Sequence, residues 1–355
     1  MNSKNKVFGD TEIKNILKPI NILFRVSCLD LNQASRKFWT ILLILYNIVC
    51  AVILISKLLC LKPNFYWGKV TKIGLQMAQL LLWWIIRVRR KNIQTLIRKL
   101  ESLKAGLDFR DYKKLMVLSK LTVYGVLIVI FLKPSVRIWN SIRKPDLKKI
   151  CLLLQVNATL EIKHKINFVF FEFFSSYVET CITYATVIFY SMFCVTFALC
   201  LKFKMRSRSQ THRIYLKTLQ IFEKFEETFS IMVFIVFAVL LLRIFRNLVA
   251  AVFVYNKFNT LPLNDSTVQI MLDVFLAFAI VFSAESIQNN ANVLRQSLFS
   301  CSNSPYNFSF LSAQYVKISE DRKRLRLTAW NTFVVRKSLL LTLAGWIFTY
   351  VVILL

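Results

Sequence analysis

The chain has 355 residues, of which 56% are hydrophobic and 14% aromatic, with six Gly and six Pro against 31 Phe. Mean hydropathy is +0.52, and the apolar residues come in blocks of about twenty, which excludes a disordered chain and an ordinary soluble domain. The formal charge of +30 does not indicate a nucleic-acid binder, because Lys and Arg collect between the apolar blocks instead of along one continuous face.

In chain order, seven segments approach the roughly 20 apolar residues that a spanning helix needs: 38–61, 67–86, 115–132, 168–201, 229–255, 267–287 and 338–355. The first 37 residues are mixed and charged, which predicts a cytoplasmic segment and no cleavable signal. The fourth block exceeds one perpendicular crossing and reads as a crossing helix over 177–201 with an outer extension from near Phe168. Nothing alternates with a two-residue period, so a β-barrel is excluded. The expected fold is an all-α membrane protein in which residues 38–355 form a seven-helix transmembrane domain.

Basic residues in short loops set the orientation. With the amino terminus inside, cytoplasmic segments hold about 30 Lys and Arg, and external ones about 12. The carboxyl terminus is then extracellular, as in a multi-pass protein of the plasma membrane. Asn157-Ala-Thr159 and Asn264-Asp-Ser266 are glycosylation candidates in predicted outside loops, whereas Asn307-Phe-Ser309 falls inside. This layout is opposite to that of a G-protein-coupled receptor, and the chain has no Asp-Arg-Tyr or Asn-Pro-x-x-Tyr element. Residues 211–225, with helically spaced apolar positions, and 285–298, free of breakers, predict helices that run past the membrane into a cytoplasmic anchor region. A further helical run is expected over 308–327, after a turn-rich stretch at 300–305. The loop at 133–165, with Pro134 and Pro145, is expected to be irregular.

Ionisable residues inside spans are costly and mark functional candidates. Arg243 and Arg246 sit one turn apart in span five, and Asp273 in span six lies at similar depth, which predicts an Arg–Asp pair. Glu179, Thr183 and Tyr184 of span four and Tyr124 of span three complete a predicted outward-opening pocket for a small molecule, with aromatic walls and a few oriented polar groups. Eight Cys without CxxC pairs, and two His without ligand spacing, predict no metal site. No phosphate loop, nucleophile elbow or paired-acid constellation is present, so neither an enzyme nor a cofactor is expected.

The carboxyl-terminal residues are the most specific. Leu325-Arg-Leu-Thr-Ala-Trp-Asn-Thr-Phe-Val-Val-Arg-Lys-Ser-Leu-Leu340 precedes Gly345-Trp-Ile-Phe-Thr-Tyr-Val-Val-Ile-Leu-Leu355. Together they resemble the signature of insect gustatory receptors, with Thr328, Ala329, Phe333, Arg336, Thr349 and Tyr350 at matching positions. The Gln-Phe that closes the family's signature has no counterpart before Leu355. The resemblance implies a ligand-gated, nonselective cation channel that detects small-molecule tastants. It also implies a homo- or hetero-tetramer with other gustatory receptors, the last helix of each subunit lining a central pore. Thr349 and Ile353, one turn apart, would then face that pore, where a ring of apolar side chains gates by dewetting. Two other readings stand beside it: a seven-span receptor signalling through a cytoplasmic partner, and a membrane carrier.

Overall fold

The computed structural model describes residues 16, 18–19, 22–25, 48, 51–52, 67–102, 109–143, 161–205, 211–258, 265–302 and 326–354. The elements run α1 (Trp67–Val88), α2 (Arg90–Ser102), α3 (Phe109–Arg143), α4 (Glu161–Met205), α5 (Thr211–Phe258), α6 (Asp265–Ser302), β1 (Thr328–Ala329), β2 (Phe333–Val334) and α7 (Lys337–Leu354). Among the described residues, four helices contain stretches long and apolar enough to cross a bilayer: Tyr112–Ser135, Thr180–Lys202, Leu216–Val249 and Thr267–Gln296. Ile73–Val88 of α1 and Lys337–Thr349 of α7 are shorter apolar helices. The chain is thus a mostly helical, multi-pass membrane protein. The predicted first span lies outside the described residues except for Ile48, Ala51 and Val52, which are helical. Asn157, Asn264 and Asn307 also lie outside them.

Scarcity of breakers explains the lengths. Neither Gly nor Pro occurs in α4, α5 or α6. The 48 residues of α5 extend about 72 Å at 1.5 Å per residue, more than twice a hydrocarbon core of roughly 30 Å. Thr218, Leu219, Ile221, Phe222 and Phe225, before the predicted fifth span, are already buried. This is the amphipathic lead-in expected over 211–225.

Three expectations are corrected. The loop expected from residue 133 begins with helix, since α3 continues through Pro134 to Arg143. Proline has no N–H to give the Ile130 carbonyl, a loss of one helical bond that a membrane helix absorbs by local adjustment, and the adjacent Ser135 hydroxyl donates to the Phe131 carbonyl at 2.9 Å. The start of the turn-rich stretch, residues 300–302, is helical because α6 runs to Ser302. Finally, Arg326 and Leu327, the described end of the helical run expected over 308–327, are not helical. There the Leu327 carbonyl accepts from the Val335 N–H at 2.9 Å, extending a hairpin ladder.

α4 sits at the centre. Of its apolar crossing stretch 83% is buried, against 22% for that of α3, so α4 is wrapped by neighbours while α3 presents Val117, Leu121 and Ile128 outward. Phe189, Phe193 and Phe197 recur every four residues on α4 and meet Phe222, Phe225 and Phe229 of α5. Phe193 stacks on Phe225 with centroids 5.0 Å apart, and Phe24 meets Phe189 edge-on at 5.2 Å. Each such pair adds about 0.5–1.5 kcal/mol beyond the area that it buries. Buried hydroxyls on α4 turn back onto their own helix: Thr186 donates to the Ile182 carbonyl and Thr196 to the Met192 carbonyl, both at 2.7 Å. At the α1–α2 junction Arg89 donates from its guanidinium to the Glu227 and Thr228 carbonyls of α5, fastening that elbow to the bundle.

Candidate functional site

Among the described residues, two polar constellations that link α5 to α6 stand out from this apolar packing. The first surrounds the signature hairpin. Thr328 pairs with Val334, and Ala329 with Phe333, in antiparallel register. Between them Trp330 and Asn331 take φ values of 50° and 55°, as the central residues of a type I′ turn do, and the Thr332 N–H closes the turn on the Ala329 carbonyl at 2.9 Å. Asn tolerates the left-handed region; a bulky Trp does so at a cost of roughly 1–2 kcal/mol. Contacts to α5 hold Trp330 there. Its N–H donates to the Ser230 hydroxyl at 2.7 Å, and its ring meets Phe234 with centroids 5.3 Å apart.

Glu226, one turn before Ser230, supplies the other grip. Its carboxylate accepts from the Thr328 N–H at 2.9 Å and also from the Thr328 hydroxyl. Ala329 is fully buried, which explains why a small residue follows Thr328. Phe333 packs between Phe234 and Phe237 of α5. From α6, the Gln288 amide donates to the Val335 carbonyl at 2.9 Å, and Glu285 pairs with Lys337 at 3.1 Å. Lys337 also lies over the Phe282 ring, 5.6 Å from its centroid. Arg336 is exposed. The hairpin therefore rivets the start of α7 to both α5 and α6.

Beyond that rivet α7 is sparsely held. Leu341, Trp346, Phe348 and Val352 are exposed, as is Thr349, whose hydroxyl donates to the Gly345 carbonyl at 2.9 Å. Tyr350 and Ile353 are helical, and their side chains lie outside the described residues.

The second constellation is the buried ion pair. Arg243 of α5 and Asp273 of α6 approach to 3.1 Å with both side chains fully buried. Gln269, one turn before Asp273, donates to the Tyr184 hydroxyl of α4 at 3.2 Å, and the Arg243 guanidinium lies 5.4 Å from the Tyr184 ring centroid. Three helices thus meet around one cation. Of the other pocket candidates, Thr183 is buried, Arg246 half-buried and Tyr124 59% exposed on the outer face of α3, away from the cluster. The Glu179 side chain lies outside the described residues. Gln269, Glu226, Ser230 and Gln288 escaped the reading of the sequence. The available signal was their spacing: Gln269–Asp273 and Glu226–Ser230 are each i,i+4 pairs on one helix face.

Replacing Glu226 by Ala leaves the Thr328 N–H without its acceptor, a loss on the order of 1–3 kcal/mol. Hydrogen exchange at the amides of Thr328 and Trp330 should then accelerate at least tenfold, with α4 protected as before; an unchanged rate would show that the carboxylate does not hold the hairpin. At the other site, Asp273→Asn strands a buried guanidinium and should lower stability by about 3–5 kcal/mol. The double change Arg243→Met with Asp273→Leu should recover most of it in thermal unfolding of the purified protein. Equal losses in the single and double variants would contradict the pairing.

No family model and no curated protein sequence matches the chain. Among solved structures it is similar to the insect olfactory receptor OR5 from Machilis hrabei, with a TM-score of 0.56 at 16% identity over 98% of this chain and 99% of that one. The same receptor in complex with eugenol gives a TM-score of 0.63 at 14% identity, over 97% of this chain and 98% of that one. At such identities the likeness establishes the fold: nearly end to end, the chain has the architecture of an insect olfactory receptor.

Proposed function

We propose that the chain is a chemosensory receptor of the gustatory type, a subunit of a tetrameric, ligand-gated and nonselective cation channel of the plasma membrane. The observation that carries this reading is the conjunction of a full-length olfactory-receptor fold with a last helix that is riveted at one end and exposed along its length. Such a helix suits a pore wall, since surfaces left bare in one subunit are covered when identical copies close about an axis. In this reading seven helices cross the membrane, the amino terminus is cytoplasmic, and Thr349 and Ile353 face the passage.

The ligand pocket is proposed at the Tyr184–Arg243–Asp273 cluster, with Thr183, Arg246 and Glu179 around or above it. A small tastant entering there would perturb contacts between α4, α5 and α6. Displacement of α5 or α6 would reach α7 through Glu226, Ser230 and Gln288, because the hairpin that these residues hold is continuous with α7. The solved eugenol complex of the same fold supports a small-molecule ligand. Partners would be copies of this chain or other gustatory receptors.

Excised membrane patches from cells expressing the chain, alone or with candidate partner subunits, test this directly. Tastants applied without cytosol should evoke a cation current within milliseconds. A response that appears only in intact cells would instead support a receptor signalling through a cytoplasmic partner.

A further inference from the structure

A cleft of about 90 Å³ separates the middle of α7 from α5 and α6. Leu240 and Ile244 of α5, Ala277 and Phe278 of α6, and Leu343 and Ala344 of α7 line it, and every other lining residue is apolar as well. The space exists because α6 and α7 each contribute an alanine where a larger side chain would close the gap.

Water is a poor occupant. An ordered water needs about two to four polar partners, and the cleft walls offer none. The nearby hydroxyls of α7 are committed, Thr342 to the Ser338 carbonyl and Thr349 to the Gly345 carbonyl. An empty cleft would forfeit dispersion contacts along three helices. Hydrocarbon has the matching chemistry and is the surrounding solvent, because Phe275, Phe278 and Phe282 carry apolar surface outward on α6, and Phe278 also lines the cleft. The volume is smaller than the roughly 150 Å³ apolar cavity that accepts benzene, which suits a few methylene groups at a chain end better than a whole ring.

We propose that the methyl end of a phospholipid acyl chain occupies this cleft and sets the resting position of α7 against α5 and α6. The inference rests on the helices lying in a bilayer but not on conduction, so it stands or falls separately from the channel reading. A hydrocarbon wedge at this place would hold apart the two partners that the hairpin joins at their other end.

The test uses the full chain in nanodiscs of phosphatidylcholine bearing a diazirine at the end of one acyl chain, with adducts mapped by mass spectrometry after illumination. Adducts are expected on the α5–α6–α7 cleft residues and on the exposed face of α3 around Val117, Leu121 and Ile128. Ala277→Leu and Ala344→Leu should each cut the cleft adducts at least fivefold and leave those on α3 unchanged; Ala277→Val serves as a milder filler should either fail to fold. Cleft adducts equal in wild type and filled variants would overturn the proposal. So would their absence, whether a neighbouring copy covers the cleft or it stays empty.

Discussion

Inside hydrocarbon a backbone amide has no solvent to bond with, and this constraint shapes the rest of the molecule. It demands continuous helices, and the chain meets the demand by excluding Gly and Pro from α4, α5 and α6. The same constraint explains why Thr186, Thr196 and Thr349 turn their hydroxyls onto helical carbonyls. It also explains why Arg243 is accompanied at once by a carboxylate and an aromatic face. A buried guanidinium without such company would cost several kcal/mol.

Within this frame the bundle is uneven. α4, clad in Phe on the side toward α5, is the fixed axis around which its neighbours pack. α7 is the opposite case, fastened through a short hairpin and bare elsewhere. Its fastening is polar where α4's is apolar. Hydrogen bonds from Thr328 to Glu226 and from Gln288 to Val335 fix direction, which apolar contact alone does not. The left-handed Trp330 belongs to the same device: a residue poorly suited to its backbone conformation is held there by Ser230 and Phe234.

Much of this architecture was legible in the chain. Apolar block length located α4, α5 and α6, and helical spacing before Phe229 revealed that α5 begins well ahead of its span. The Arg243–Asp273 pair was legible because charges in an apolar helix need partners at the same depth. The hairpin was not. Two-residue strands carry no periodic signal, and a Trp-Asn turn lacks the Gly that usually marks a type I′ geometry. Its partners hid as well, since Glu226 and Gln288 look like solvated residues until the segment some hundred positions away from Glu226 folds back on them. Pro134 misled for the converse reason: one missing N–H that would stop a short helix in water is absorbed within a long apolar helix in a bilayer. Tyr124 shows the limit of depth arguments, which place a residue along the membrane normal but not around the helix axis.

The central claim is that α7, held by its hairpin, stands beside the shared axis of an assembly. Cryo-electron microscopy of the full chain in lipid nanodiscs tests it most directly. The account predicts four subunits with α7 innermost, Thr349 turned to the axis and the Thr328–Val335 hairpin seated on α5. A monomer, or an assembly in which α7 faces lipid while another helix lines the centre, would contradict it.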